Sequence, residues 1–397
     1  MEGTPNSLRK HVVILGNTNA GKSTLFNALT DQDISIVSHE AGTTTDPVRT
    51  AIELIPFGPI VLIDTAGIND TSSLGEARIK RTKTVSRRAD VAIYVVQADS
   101  FDEKSYSEFL KKDIPHIVAI TKCDIVPSGA INDLVALFRN SVALYHCDPD
   151  GISKLREKLV QLLSEQSPED TTLIGDLLKP GSTIVMVVPI DSEAPKGRLI
   201  LPQVQLLRDA LDHGMKCLVT KDTELKESLN CLNKIDLVVT DSQVFGYVSE
   251  IVPSEIPLTS FSMLLARQKG DFLQLLEGVN VVKTLQDGAR ILMLEGCTHN
   301  HTHEDIGRVK IPALLRKKMG KNFKFEYYSG YDFPDNLQEY DFAVQCGNCM
   351  INQREILARL SQMKESKLPV TNYGILLAYL SGVLDRSTEI FKNPERV

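Results

Sequence analysis

A chain of 397 residues exceeds what one hydrophobic core supports, so two or three domains are expected. Its 42% hydrophobic and 24% charged residues are those of a soluble globular protein, and a formal charge of −7 argues against a broad nucleic-acid-binding face. No apolar run approaches the ~18 residues of a membrane span. Residues 1–10 lack the apolar core of a signal peptide, so a cytoplasmic location is expected. Seven cysteines in such a chain point to metal or redox chemistry more than to disulfides.

The first strong signal is Gly16-Asn17-Thr18-Asn19-Ala20-Gly21-Lys22-Ser23, set between an apolar strand at residues 11–15 and a helix opening at Thr24. This is a phosphate loop, G-x-x-x-x-G-K-S, in strand–loop–helix context. Its glycines let successive backbone N–H groups turn toward phosphate oxygens, and the helix N-terminus adds its positive end. Lys22 is placed to reach the β- and γ-phosphates, and the Ser23 hydroxyl to ligate Mg²⁺. The bland alternative is a Gly-rich turn that binds nothing; the flanking strand and helix argue against it.

Residues 39–47 read as a loop, and Thr44 within it is a candidate for Mg²⁺ and the γ-phosphate; an ordinary Thr-rich turn is the alternative. A strand at 60–63 ends in Asp64-Thr65-Ala66-Gly67, where Asp64 suits the Mg²⁺ shell and the Gly67 N–H the γ-phosphate. Ile68 follows, so a water-positioning Gln is missing there. Lys22, Thr44 and Gly67 are thus the candidates for catalysis. After a basic helical stretch at 77–88 and a strand at 91–96, a strand at 116–120 runs into Thr121-Lys122-Cys123-Asp124. This resembles the guanine-reading N-K-x-D motif with Thr for Asn. Asp124 would accept hydrogen bonds from guanine N1 and N2, and Lys122 would pack over the base.

Asn233-Lys234-Ile235-Asp236 fits N-K-x-D better letter for letter, but it precedes a strand, and nucleotide-reading loops follow parallel strands. Strands alternating with helices to about Gln166 make a doubly wound domain, with residues 145–152 as its last loop. Asn19 and Gly42-Thr43-Thr44-Thr45-Asp46 resemble the translation-factor-like (TrmE/Era-type) GTPases. That resemblance implies a potassium ion at Asn19 and a switch threonine at Thr44.

A polar linker at 166–180 precedes a small α/β unit with strands near 184–188, 217–219 and 236–239 and helices near 201–211 and 224–232. Its acids, Asp191, Glu193 and Asp241, read as turn and cap residues, Cys217 and Cys231 read as core, and its use reads as assembly.

In the last region, a strand at 289–294 ends at Cys297-Thr298-His299, and a strand at 341–345 ends at Cys346-Gly347-Asn348-Cys349 ahead of a helix at 353–364. If the strands are parallel, three thiolates converge beside a helix N-terminus, whose dipole is expected to lower their pKa. His299, His301, His303 and Glu304 form a ligand-rich loop. Structural zinc, an iron–sulfur cluster and three unlinked cysteines all stand on spacing alone.

A GTPase domain, a small α/β domain and this cysteine pattern together resemble the FeFe-hydrogenase maturation GTPases of the HydF family, across essentially the whole chain. Cys297-Thr298-His299 and Cys346-Gly347-Asn348-Cys349 fit that family's C-x-H and C-x-x-C. Gln345 stands where a second His often lies, which turns attention to His299 and Glu304 as fourth ligand. The resemblance implies an α/β fold in three domains: a P-loop GTPase at 1–166, a dimerisation domain at 167–265 and an iron–sulfur domain at 266–397. It implies GTP/GDP, Mg²⁺ and K⁺, with Gly16, Asn17, Asn19, Ala20, Gly21, Lys22, Ser23, Thr24, Thr44, Asp64, Gly67, Thr121, Lys122 and Asp124 around the nucleotide. It also implies a 4Fe-4S cluster on Cys297, Cys346 and Cys349, a homodimer, and a transient 2Fe precursor taken from two radical-SAM enzymes and delivered to apo-hydrogenase. A ribosome- or tRNA-associated GTPase with a zinc module is the competing reading, and colour and iron content separate the two.

Overall fold

The computed structural model describes residues 7–30, 38–40, 48–65, 85–146, 148–166, 172–190, 199–296 and 305–392. The chain forms two compact units, Met1–Asp170 and Thr171–Val397.

The first unit is a seven-stranded sheet in the order β2-β3-β4-β1-β5-β6-β7. Its strands are β1 (Lys10–Gly16), β2 (Ser38–Glu40), β3 (Val48–Leu54), β4 (Gly58–Asp64), β5 (Val91–Gln97), β6 (His116–Thr121) and β7 (Ser141–Ala143). Its helices are α1 (Lys22–Thr30), α2 (Glu103–Leu110), α3 (Ser128–Ala136) and α4 (Pro149–Glu165). The unbroken apolar run of β1 has the look of a strand covered on both faces. Val12 and Ile14 enter one core while Val13 and Leu15 enter the other. Asp102 and Asp148 start α2 and α4 by accepting the Ser105 and Gly151 N–H groups.

The edge departs from simple strand–helix alternation, because β3 is antiparallel to β4 and β2 antiparallel to β3. Only residues 55–57 separate β3 from β4, too few for the crossover that a parallel pair requires. Of the basic stretch expected at 77–88, residues 77–84 lie outside the described residues.

The second unit carries two four-stranded, all-parallel sheets, β11-β10-β8-β9 and β13-β12-β14-β15. The first contains β8 (Thr183–Val187), β9 (Lys216–Thr220), β10 (Leu237–Thr240) and β11 (Leu258–Ser260). Helices α5 (Leu201–Asp212), α6 (Leu225–Asn230), α7 (Phe245–Ile251) and α8 (Phe261–Lys269) accompany them. The second contains β12 (Arg290–Glu295), β13 (Lys324–Ser329), β14 (Phe342–Gln345) and β15 (Val370–Asn372). With it run α9 (Phe272–Gly278), α10 (Ile311–Met319), α11 (Gln353–Glu365), α12 (Tyr373–Ser381) and α13 (Leu384–Lys392). One buried cluster joins Val185 and Val238 of the first sheet to Ile291 and Val344 of the second. Cys217 packs at the edge of a core, but Cys231, expected inside, is exposed where α6 ends. Asp191 and Glu193 lie outside the described residues, and Asp241 accepts the Gln243 N–H as a turn residue.

Glu355 and Arg359 form an ion pair inside the second unit, at 0% and 3% side-chain exposure. Arg359 also donates to the Gly330 carbonyl in the loop after β13 and stacks on Phe333. Arg359→Met is therefore expected to leave a buried carboxylate uncompensated and lower stability by roughly 3–5 kcal/mol. Urea unfolding measures this, and Glu355→Leu combined with Arg359→Met should recover most of the loss.

Candidate functional site

The phosphate loop leaves the carboxyl end of β1, flanked by β4 and β5. Gly16 passes so close to β5 that an added Cβ would lie 2.4 Å from the Val95 carbonyl oxygen, at a φ of +147° that side chains avoid. Asn19 and Gly21 turn the loop at φ 62° and 88°. Ser23 and Thr24 are exposed at the start of α1, while Lys22 is buried.

Lys22 Nζ donates to the Asn17 carbonyl at 2.7 Å, and Ser23 Oγ donates to Asp64 Oδ2 at 2.7 Å. The other carboxylate oxygen, Asp64 Oδ1, is buried without a hydrogen-bond partner. Burial pushes the Asp64 carboxyl up, opposed by the Ser23 hydrogen bond and then by Lys22. Burial likewise pushes the Lys22 ammonium down, opposed by Asp64. A hydroxyl and a carboxylate with one orphan oxygen fit a hard dication such as Mg²⁺.

Thr121 is buried, unlike Lys122 and Asp124 of the same motif. Its buried hydroxyl lies 2.9 Å from the Ala20 carbonyl oxygen and 3.2 Å from that of Val96, tying the phosphate loop to β5 and β6. Lys122, in the left-handed conformation, donates to Gln97. Asp124 lies 3.3 Å from His146 Nε2, and the Cys123 N–H donates to the Leu144 carbonyl. These contacts bring the end of β6 against the loop after β7. His146, Gln97 and the Asn17–Asp102 hydrogen bond of 3.2 Å carry no motif signal and are visible only in three dimensions. Thr44 and Gly67 lie outside the described residues.

The better-spelled Asn233-Lys234-Ile235-Asp236 sits at the amino end of β10. There Asp236 accepts the Thr183 N–H at 2.8 Å and pairs with Lys234 at 2.6 Å, so both interactions are internal to the second unit.

The cysteine loop lies at the carboxyl ends of β12 and β14, which pair in parallel with Leu294 opposite Gln345. The Cys346 N–H donates to the Leu294 carbonyl. Cys346 Sγ receives the N–H groups of Gly296 at 2.9 Å and Asn348 at 3.3 Å. Gly296, the residue before Cys297, is tightly packed: a Cβ would lie 3.1 Å from the Asn348 Cα and 3.3 Å from Cys346 Sγ. Two N–H donors on one sulfur suit a metal-bound thiolate, whose charge they stabilise. Cys297, His299, His301, His303 and Glu304 lie outside the described residues. Among the described residues no group of three potential metal ligands occurs.

The expected fall in cysteine pKa is not what the fold produces. Burial pushes Cys346 up to about 11, with Cys349 adding to the rise, and burial also raises Cys349 against the pull of the Lys269 ammonium. Helix α11 begins only at Gln353, four residues beyond Cys349.

Glu295, just ahead of the loop, carried no signal in the sequence. It is 4% exposed and takes two hydrogen bonds from Arg308, at 3.1 and 2.9 Å, and one from Ser329 at 2.9 Å. This ion pair draws together the two ends of the segment that contains Cys297.

Residues 11–122 match a family model described as 50S ribosome-binding GTPase. Residues 173–270 match the hydrogen maturase F dimerization domain, and residues 273–390 the hydrogen maturase F tetramerization domain. The chain belongs to the hydrogen maturase F family. Curated relatives match the GTPase portion of the chain. The tRNA modification GTPase MnmE of Chromobacterium violaceum is 35% identical over 172 residues, 42% of this chain and 37% of the relative. GTPase Era of Thermoanaerobacter sp. is 30% identical over 165 residues, 39% of this chain and 54% of the relative. The chain thus spans about half or less of these relatives. Among solved structures, Aquifex aeolicus Era bound to GDP.AlF4- matches with a TM-score of 0.33 and 19% identity, covering 61% of this chain and 97% of that one. The G domain of T. maritima FeoB matches with a TM-score of 0.30 and 24% identity, covering 39% and 99%. Among the described residues, no helix is long and apolar enough to cross a membrane.

Thr121→Val keeps the shape of the side chain and removes the donor to Ala20. The expected result is GDP affinity weakened roughly tenfold, from about 1–2 kcal/mol of lost loop anchoring. Calorimetric titration measures it, and an unchanged Kd would remove Thr121 from the site.

Proposed function

We propose that this protein is a cytoplasmic, self-associating GTPase that carries iron–sulfur chemistry for maturation of FeFe-hydrogenase. The observation that carries the reading is the pairing of a phosphate loop in one unit with a cysteine loop in the other, within a chain of the hydrogen maturase F family. The match to dimerization and tetramerization domains supports oligomers beyond the homodimer that the sequence suggests.

In the first unit, backbone N–H groups from Gly16 to Thr24 would cradle the phosphates of GTP, and Lys22 would exchange the Asn17 carbonyl for β- and γ-oxygens. Ser23 and Asp64, with Thr44, would hold Mg²⁺, which supplies positive charge to the phosphates. Asn19 would hold K⁺. Asp124 would accept from guanine N1 and N2, with Lys122 packed on the ring. The N–H of Gly67 would orient the γ-phosphate while water attacks phosphorus and the bond to the β-phosphate oxygen breaks.

In the second unit, Cys297, Cys346 and Cys349 would hold a 4Fe-4S cluster, with His299 or Glu304 as the exchangeable fourth ligand; the cluster supplies an iron site and electrons. The Gly296 and Asn348 N–H groups would stabilise the Cys346 thiolate, and Glu295 with Arg308 would keep the loop ends closed. The cargo would be a 2Fe precursor received from two radical-SAM enzymes and passed to apo-hydrogenase, with GTP turnover acting on partner exchange.

Anaerobic purification tests this reading. A brown protein with four irons and sulfide, able to activate apo-hydrogenase once loaded, is expected; a colourless protein with one zinc would overturn it. Cys346→Ser should strip the cluster and abolish activation while GTP hydrolysis persists, whereas Lys22→Ala should do the reverse to hydrolysis and iron. Hydrolysis should also run faster in K⁺ than in Na⁺ at equal ionic strength, and equal rates would remove Asn19 from the site. Asp124→Asn should shift preference from guanine to xanthine nucleotides, while Asp236→Asn should leave affinity alone.

A further inference from the structure

Lys269, the last residue of α8, is a buried cation that none of the nucleotide chemistry uses. It is 5% exposed, and its ammonium donates to three backbone carbonyls of the cysteine loop: Asn348 at 3.4 Å, Cys349 at 3.3 Å and Ile351 at 3.3 Å. All three of its N–H bonds are used, and among the described residues no carboxylate pairs with it. A buried charge without a counter-charge is costly. Carbonyl dipoles satisfy its hydrogen bonds and leave its net charge uncompensated.

The rest of α8 faces the same loop. A Cβ on Gly347 would meet Ser262 Oγ at 3.6 Å and Leu265 Cδ1 at 3.8 Å. Ser262, Leu265 and Lys269 follow the i, i+3, i+7 spacing of one helix face. Gln353 reaches back to the Gln268 carbonyl at 3.0 Å, and Asn372 at the end of β15 bonds Ser262. Helix α8 lies in the segment matched by the dimerization domain, while the loop lies in the segment matched by the tetramerization domain.

We propose that Lys269 is the positioning residue of the cysteine loop and the counter-charge of its iron–sulfur cluster, carried to that site by the dimerization module. The proposal rests on the cluster reading above. A cluster held by thiolates bears net negative charge, which compensates the ammonium and is in turn stabilised by it. Net charge and hydrogen bonding around a cluster set its potential. A fixed positive charge favours the more negative, reduced form, so its removal lowers the potential. The three-carbonyl clamp holds the Asn348–Ile351 stretch, and with it Cys349, before iron arrives.

The test compares Lys269→Gln, which keeps two donors without the charge, with Lys269→Arg, which keeps the charge. Iron content and an EPR-monitored redox titration are read on the full-length protein after anaerobic reconstitution. Lys269→Gln is expected to cut the reduced-to-oxidised ratio at a fixed potential about tenfold, equal to 59 mV for a one-electron couple. Lys269→Arg keeps the charge and should stay within a factor of about two of wild type, about 18 mV by the same conversion. Loss of iron from Lys269→Gln with retention in Lys269→Arg would equally support the charged clamp. A wild-type potential in Lys269→Gln, an equal drop in both variants, or loss of iron from both would overturn it, the last by reducing Lys269 to helix packing. A wild-type protein that takes up no iron would instead sink the cluster reading itself.

Discussion

Parallel pairing is the constraint on which both candidate sites depend. Parallel strands deliver their following loops to one end of a sheet, so residues far apart in sequence arrive side by side. In the first unit, β1, β4 and β6 bring the phosphate loop, Asp64 and the Thr121–Asp124 segment to a common edge. In the second, the register of β12 against β14 sets Leu294 opposite Gln345 and thereby places Gly296 on the Cys346 sulfur. A slip of one residue in that register would turn alternate side chains to the other face and separate the two cysteine-bearing loops.

On this frame the sites are finished by charges withdrawn from water. Lys22 and Asp64 oppose each other's burial in the phosphate loop, and Glu295 and Arg308 close the segment that contains Cys297. Glu355 and Arg359 lock the helix after the cysteines to the loop after β13. Lys269 differs from these in that, among the described residues, no carboxylate pairs with it, and its ammonium donates into the cysteine loop. Buried pairs of this kind contribute little net stability but strongly penalise loss of either member. They therefore fix geometry more than they add to the folding energy.

The phosphate loop shows how local chemistry and tertiary contact divide the work. Its spelling follows from what phosphate requires of a backbone, so it is readable without a structure. That Gly16 is required by the approach of Val95, and that Thr121 holds the loop, follow from strands that are neighbours only in the sheet. Cysteine acidity shows the opposite case: a helix start near a C-x-x-C suggests a lowered pKa, yet burial dominates once the chain is folded.

Much of this protein was legible in its sequence because the signals are local. Continuous apolar runs marked β1, β5, β6 and β12, helical periodicity marked α5 and α11, and the motif order assigned the phosphate loop and the two cysteine loops. Position relative to a strand was the ground for preferring Asp124 over Asp236. The short strands β11 and β15 and the partly exposed β13 escaped notice, since three residues or a half-polar stripe carry too little periodicity to stand out. Tertiary structure alone decided the antiparallel edge of the first sheet, the core shared by the two sheets of the second unit, and the exposure of Cys231. It alone decided that Lys269, Glu295 and His146 stand beside the candidate sites. A side chain's partners across a sheet or from another helix depend on register and packing, which no short window of sequence contains.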